Sequence, residues 1–142
     1  MVERDVVLAK VAAIERCLKR ISQVRSGERR RVLLPVDVED IVAVNLQRAA
    51  QAAIDLALHV AASEGYGLPD DLAEGFILLE KNGVIDSDLC GKLRRMVGFR
   101  NIAVHQYEIL DPAILEAIAS THVNDIQRFA ARIVEFFEVR PG

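Results

Sequence analysis

Val7, Val11, Ile14, Leu18 and Ile21 recur at spacings of 4, 3, 4 and 3 residues. That spacing lays one apolar stripe along a helix of about six turns. Gly27 suits a left-handed C-cap at its end. Arg29-Arg30-Arg31 then lead into Val32-Leu33-Leu34-Pro35, a connector with a basic start and a short extended stretch. A solvated turn is the plainer reading of the three arginines, and a phosphate patch the other. A second helix is expected from Glu39 to Glu64, closed by Gly65 and Gly67. It carries eight alanines between Ala43 and Ala62. Such small side chains let a neighbouring helix approach closely, within a bundle or across a dimer seam.

Gly67 and Pro69 mark a loop, and Asp70 is placed to cap a short helix that turns Phe76, Leu79 and Leu78 inward and stops at Asn82-Gly83. Asp86 is placed to cap the next helix, with Leu89, Leu93, Met96 and Val97 on its apolar side. Asp111-Pro112 is a further start signal, an N-cap followed by Pro at the first helical position. From there Ile114, Leu115, Ile118, Val123, Ile126, Phe129, Ile133 and Phe136-Phe137 continue a helical pattern almost to the end. The chain reads as all-α, a bundle of four long helices plus a short one.

Composition narrows this further. The chain has 142 residues, 51% of them hydrophobic, which suits a single domain over 1–142 and excludes wholesale disorder. Only 8 glycines and 4 prolines speak against a many-stranded β fold. The net charge of −3 means that any RNA contact must come from a local basic patch, for which Arg94 and Arg95 are placed. Cys17 and Cys90 make neither a disulfide framework nor a zinc site, and read as small core fillers. His122 reads as a surface residue. Arg4, Asp5 and Lys10 break up any secretory apolar run at the start. The stretch from Ala49 to Ala62 contains Gln51, Asp55 and His59, too short and polar for a membrane span. A soluble, cytoplasmic protein is expected. Gly65-Tyr66-Gly67 is a helix-ending loop and not a phosphate cradle, because no Lys-Ser/Thr follows.

Chemistry concentrates in Gly98-Phe99-Arg100-Asn101-Ile102-Ala103-Val104-His105-Gln106-Tyr107. Arginine is a permanent cation that grips a phosphate through two N–H groups. Histidine titrates near neutrality and can give or take a proton. Together they can promote attack of a ribose 2′-hydroxyl on the adjacent phosphate without a metal. On a straight helix Asn101 and His105 share a face, whereas Arg100 and His105 stand roughly 140° apart. The long arginine must curl round, the helix must distort, or two chains must pool their motifs in one cleft. On the second helix Asn45, Arg48, Asp55 and His59 fall on one side, with Asp55 and His59 in i, i+4 register. Arg48, Asp55 and His59 either support the motif from behind or form the wet half of an amphipathic helix. The wet half is the plainer reading, since Gln47, Gln51 and Ser63 lie there too.

The run Arg100-x4-His105-x-Tyr107 resembles the signature of HepT-like toxins of the HEPN superfamily, with the polar residue favoured after the arginine present as Asn101. The resemblance extends to NLQRAAQAAIDLALHVA (Asn45 to Ala61), to FILLEKNGVI and to LRRMVGFRN, and covers about residues 40 to 137. It implies a HEPN-type helical-bundle homodimer whose two motifs face a common groove and cleave RNA without a metal. It implies Arg100 and His105 as catalytic residues, Asn101 as an orienting residue, and Tyr107 as the site of AMPylation. The modifying partner would be a minimal, MntA-like nucleotidyltransferase antitoxin. ATP would serve that partner, the chain itself needing no cofactor. A different class of reading is a non-catalytic HEPN helper that binds a nucleotidyltransferase or a nucleotide. A third is a purely structural helical dimer. An intact Arg100 and His105 favour the enzyme.

Overall fold

The computed structural model describes residues 2–26, 33–106 and 112–139, with side chains omitted at 2, 3, 100–106, 112, 114, 115 and 139. Five helices occur among them: α1 (Val2–Arg25), α2 (Pro35–Ser63), α3 (Glu74–Lys81), α4 (Ser87–Gln106) and α5 (Pro112–Val139). No strand occurs among the described residues. Four helices of 20 to 29 residues and one of 8 realise the all-α bundle expected from the sequence. Gly27, Arg29, Arg30, Arg31 and Asp111, singled out above, lie outside the described residues.

The α1 stripe is fully buried, from Val7 through Val11, Ile14, Leu18 and Ile21 to Val24. It packs on α2, which touches each of the other four helices and forms the centre of the bundle. Ala43, Ala49, Ala50, Ala53, Ala57 and Ala61 are buried within this one chain. Packing inside the bundle therefore accounts for these six of the eight alanines, and a dimer seam is not needed to explain them.

α2 starts four residues earlier than the apolar pattern suggests. Leu34 is an extended N-cap (φ −67°, ψ 147°), and Pro35 opens the helix instead of closing an extended stretch. The fixed φ of proline suits a first helical position, where its missing N–H costs nothing. α2 ends in a Schellman motif: Tyr66 N–H donates to the Ala61 carbonyl (2.8 Å), Gly65 N–H donates to that of Ala62 (3.2 Å), and Gly65 takes φ +70°. α3 ends the same way through Gly83 (φ +77°) and Val84, whose N–H donates to Leu79 at 2.9 Å.

At the start of α3 the cap differs from expectation. Asp71, not Asp70, receives the backbone N–H groups of Ala73 and Glu74, both at 2.9 Å. Glu74 reaches back to accept the Asp70 N–H at 2.8 Å. The reciprocal pair satisfies donors that a helix start otherwise leaves open. Asp86 caps α4 as expected, its carboxylate accepting the Leu89 N–H at 2.7 Å. Among the described residues no helix is long and apolar enough to cross a membrane.

Candidate active site

The helix that carries the motif begins with a surface charge cluster. The Asp88 carboxylate meets Lys92 one turn on (3.1 Å) and Arg128 of α5 (3.6 Å). Lys92 foremost, then Arg128, hold that carboxyl below its ordinary range. Arg132 of α5 donates to the Val84 carbonyl at 3.3 Å, just ahead of α4. Leu89, Cys90, Leu93 and Met96 turn into the core. Burial, foremost, pushes the Cys90 thiol up to about 11, with the Glu80 carboxylate adding to the rise. The thiol stays protonated and serves as a core filler. Cys17 is half-buried against the same core.

α4 runs on through Gln106, so Arg100, Asn101 and His105 occupy its last two turns. Their side chains, and Tyr107 altogether, lie outside the described residues. The helical register still places them. Arg100 stands four residues after Met96 and seven after Leu93, so its register position continues the stripe of Leu93 and Met96, the last buried apolar residue among the described ones of α4. His105 and Asn101 each stand seven residues after Gly98 and Arg94 respectively, so they prolong the open stripe. Arg94, Arg95 and Gly98 are exposed, and a Cβ at Gly98 would meet nothing within 4 Å. By register, Arg100 and His105 thus fall on different stripes of α4.

On α2 the side chains expected to support the motif make other contacts. Asp55 is exposed and accepts from Gln51 at 2.9 Å. His59 is half-buried beside Ser63, whose hydroxyl donates to the His59 carbonyl at 2.8 Å. Arg48 is exposed, and the Asn45 amide donates to the Ile41 carbonyl at 2.9 Å. The Asp55–His59 pairing that the register permits is not made.

One group was misread from sequence. His122 is buried at 7% exposure, not on the surface, and Asp125 one turn on is buried at 2%. The signal was present: Ala119, His122, Ile126, Phe129 and Ile133 alternate by three and four and form the buried stripe of α5. The imidazole lies against the Phe99 ring of α4, centroids 5.2 Å apart and planes 30° apart. Its Nδ1 stands 3.9 Å from the Asp125 carboxylate and has no hydrogen-bond partner. Burial holds the imidazole below its ordinary pKa, while Asp125 pulls it up. Among the described residues no three His, Cys, Asp or Glu gather as metal ligands.

The HepT-like ribonuclease family model matches residues 14–133. Over 125 residues the chain is 38% identical to the mRNA nuclease HepT of Shewanella oneidensis, covering 88% of this chain and 93% of that relative. A crystal structure of a toxin–antitoxin complex with AMP-PNP superposes at a TM-score of 0.79, with 36% identity over 92% of this chain and 98% of the other. The tri-AMPylated Shewanella oneidensis HEPN toxin, in complex with an MNT antitoxin, superposes with the same values. The chain belongs to the HepT-like ribonuclease family.

Proposed function

We propose that this chain is the toxin of a HepT/MntA-type toxin–antitoxin pair, an endoribonuclease that cuts RNA in the cytoplasm as a homodimer. The observation that carries the reading is the intact Arg100-x4-His105-x-Tyr107 run at the end of α4, in a chain whose match to the ribonuclease family spans 14–133. The naming of its Shewanella relative as an mRNA nuclease supports it.

In this reading His105 takes the proton of a ribose 2′-hydroxyl. The 2′-oxygen attacks the adjacent phosphorus, and the bond to the 5′-oxygen breaks. A second His105, protonated, from the other chain in the shared groove returns a proton to the leaving 5′-oxygen. Arg100 faces the charge that builds on the phosphorane, where a fixed cation is worth most. Asn101 orients the phosphate. The products are a 2′,3′-cyclic phosphate and a free 5′-hydroxyl, and no metal or cofactor takes part. Pooling two chains brings together an arginine and a histidine that one straight helix holds about 140° apart. Arg94, exposed and in register with Asn101, adds positive charge to an otherwise acidic protein.

Regulation follows from the partner. A minimal, MntA-like nucleotidyltransferase antitoxin would spend ATP to attach AMP to Tyr107. The modified toxin seen beside an MNT antitoxin supports this. Arg48, Asp55 and His59 would at most border the groove.

The test is cleavage of a defined RNA by purified protein in EDTA, beside a substrate with one 2′-deoxy position. Cutting that survives chelation and stops at the deoxy position is expected. Light scattering should give twice the chain mass, and a strict monomer would remove the shared groove.

A further inference from the structure

The described core contains two buried polar side chains, His122 and Asp125, and they adjoin each other. Burying such groups is costly unless they are well paired. The imidazole is poorly satisfied. The 3.9 Å separation is an ion-pair distance but too long for a hydrogen bond, and the His122 Nδ1 has no hydrogen-bond partner. A leucine at 122 would complete the apolar stripe of α5 without that cost. The imidazole is therefore better explained by what it touches. Its ring lies tilted against that of Phe99, the residue immediately before Arg100.

Position along α4 gives this contact its weight. Among the described residues Met96 is the last buried apolar residue of the helix. Beyond it, Phe99 on His122 is the described ring contact that ties α4 to α5. Arg100 is one residue further, about 1.5 Å along the axis. Whatever fixes the Phe99 ring fixes the backbone from which Arg100 departs. The Asp125 carboxylate, one turn further along α5, stands 3.9 Å from the imidazole Nδ1.

We propose that His122 is a positioning residue that braces Phe99 and so sets Arg100 for the reaction. The kinetic part of this role rests on the ribonuclease reading above. The positional part does not.

Two measurements test it. One is the NMR shifts of the Phe99 ring and of the Arg100 Nε–Hε group in wild type and His122 variants. The other is kcat and KM for a defined RNA. His122→Ala should shift both resonances and lower kcat by about 10²-fold, the scale of a 1 Å misplacement. KM should hold to within about twofold, because His122 does not touch RNA. His122→Phe restores a flat ring against Phe99 and should recover most of kcat, whereas His122→Gln should not. A folded His122→Ala with wild-type kcat, or with its whole loss in KM, overturns the proposal. If His122→Ala does not fold, His122→Gln performing as well as His122→Phe overturns it. If the wild type cuts no RNA, the ribonuclease reading falls. The resonances then decide alone: unchanged Phe99 and Arg100 signals in the His122 variants overturn the positioning role, and displaced ones sustain it.

Discussion

Phe76 meets Phe129 edge to face, with ring centroids 5.3 Å apart and planes at 82°, and both are fully buried. This contact ties α3 to α5. An eight-residue helix is too short to hold itself together in water, so its order comes from such packing. Phe76→Ala should cost about 3–5 kcal/mol, and Phe76→Leu less because it refills part of the space. Urea unfolding followed by circular dichroism measures both.

The caps separate neighbouring aspartates. Asp86→Ala and Asp71→Ala each remove an acceptor from a helix start and should cost about 0.5–2 kcal/mol. Asp70→Ala should cost much less, since Asp70 contributes its backbone N–H and not its carboxylate. Equal losses at Asp70 and Asp71 in thermal melts would contradict this arrangement.

These two aspartates also mark where sequence reading stops. The apolar spacing that revealed α1 was legible because each buried residue repeats one register. Residue type alone does not choose between Asp70 and Asp71, because the choice depends on where the first helical N–H groups point. The Pro35 start was hidden for a related reason: Val32-Leu33-Leu34 reads as an extended run, and nothing in it shows that the chain turns at Pro35. At the site the motif was legible because Arg, His and Tyr stand at fixed spacing. His122 was not, because its polarity masked a register that its neighbours Ala119, Ile126 and Phe129 spell out.

His122 also predicts an acid sensitivity. Its folded pKa lies below the ordinary value of 6.5, from burial foremost and against the pull of Asp125. The unfolded chain therefore takes the proton more readily than the folded one. The neutral imidazole is no handicap above about pH 6.5, and stability is lost as pH falls from there towards the folded pKa. His122→Phe should flatten the unfolding free energy between about pH 7 and 5 relative to wild type. Asp125→Asn removes the anion that supports the cation, so the acid loss should continue to lower pH. Denaturant midpoints at stepped pH give both slopes, and identical slopes in wild type and His122→Phe would remove this role.

The motif predicts its own losses. Replacing one acid–base group costs roughly 10²–10⁴-fold in rate, so His105→Ala should nearly abolish cleavage. Arg100→Lys keeps the charge but loses the two-pronged grip, and should fall well below wild type. Both residues lie in the last two turns of α4, so the melting temperature should move little. Gel analysis of end-labelled RNA, with the termini checked by phosphatase, reads both activity and the cyclic phosphate. A His105→Ala protein that cuts as fast as wild type would remove His105 from the reaction.

Tyr107 supplies the regulatory prediction. It follows the last residue of α4 and stands two residues after His105. In the proposed reading, an AMP attached there adds a phosphodiester anion seven residues along the chain from Arg100. In that reading the anion competes with the RNA phosphate for the Arg100 guanidinium and the nucleotide fills the shared groove, so silencing is expected without a change of fold. Incubation with ATP and a cognate nucleotidyltransferase should add whole multiples of the AMP mass, and peptide mapping should place the first on Tyr107. Cleavage should fall in step with the modified fraction. Tyr107→Phe has lost the phenol oxygen that receives AMP but no group assigned to proton transfer. It should therefore cut RNA at close to the wild-type rate and remain toxic in cells beside the active partner. If Tyr107→Phe is still silenced through the partner's enzymatic activity, or if the first adduct maps elsewhere, the modified residue is not Tyr107. An inactive Tyr107→Phe would instead give the phenol a part in the chemistry itself.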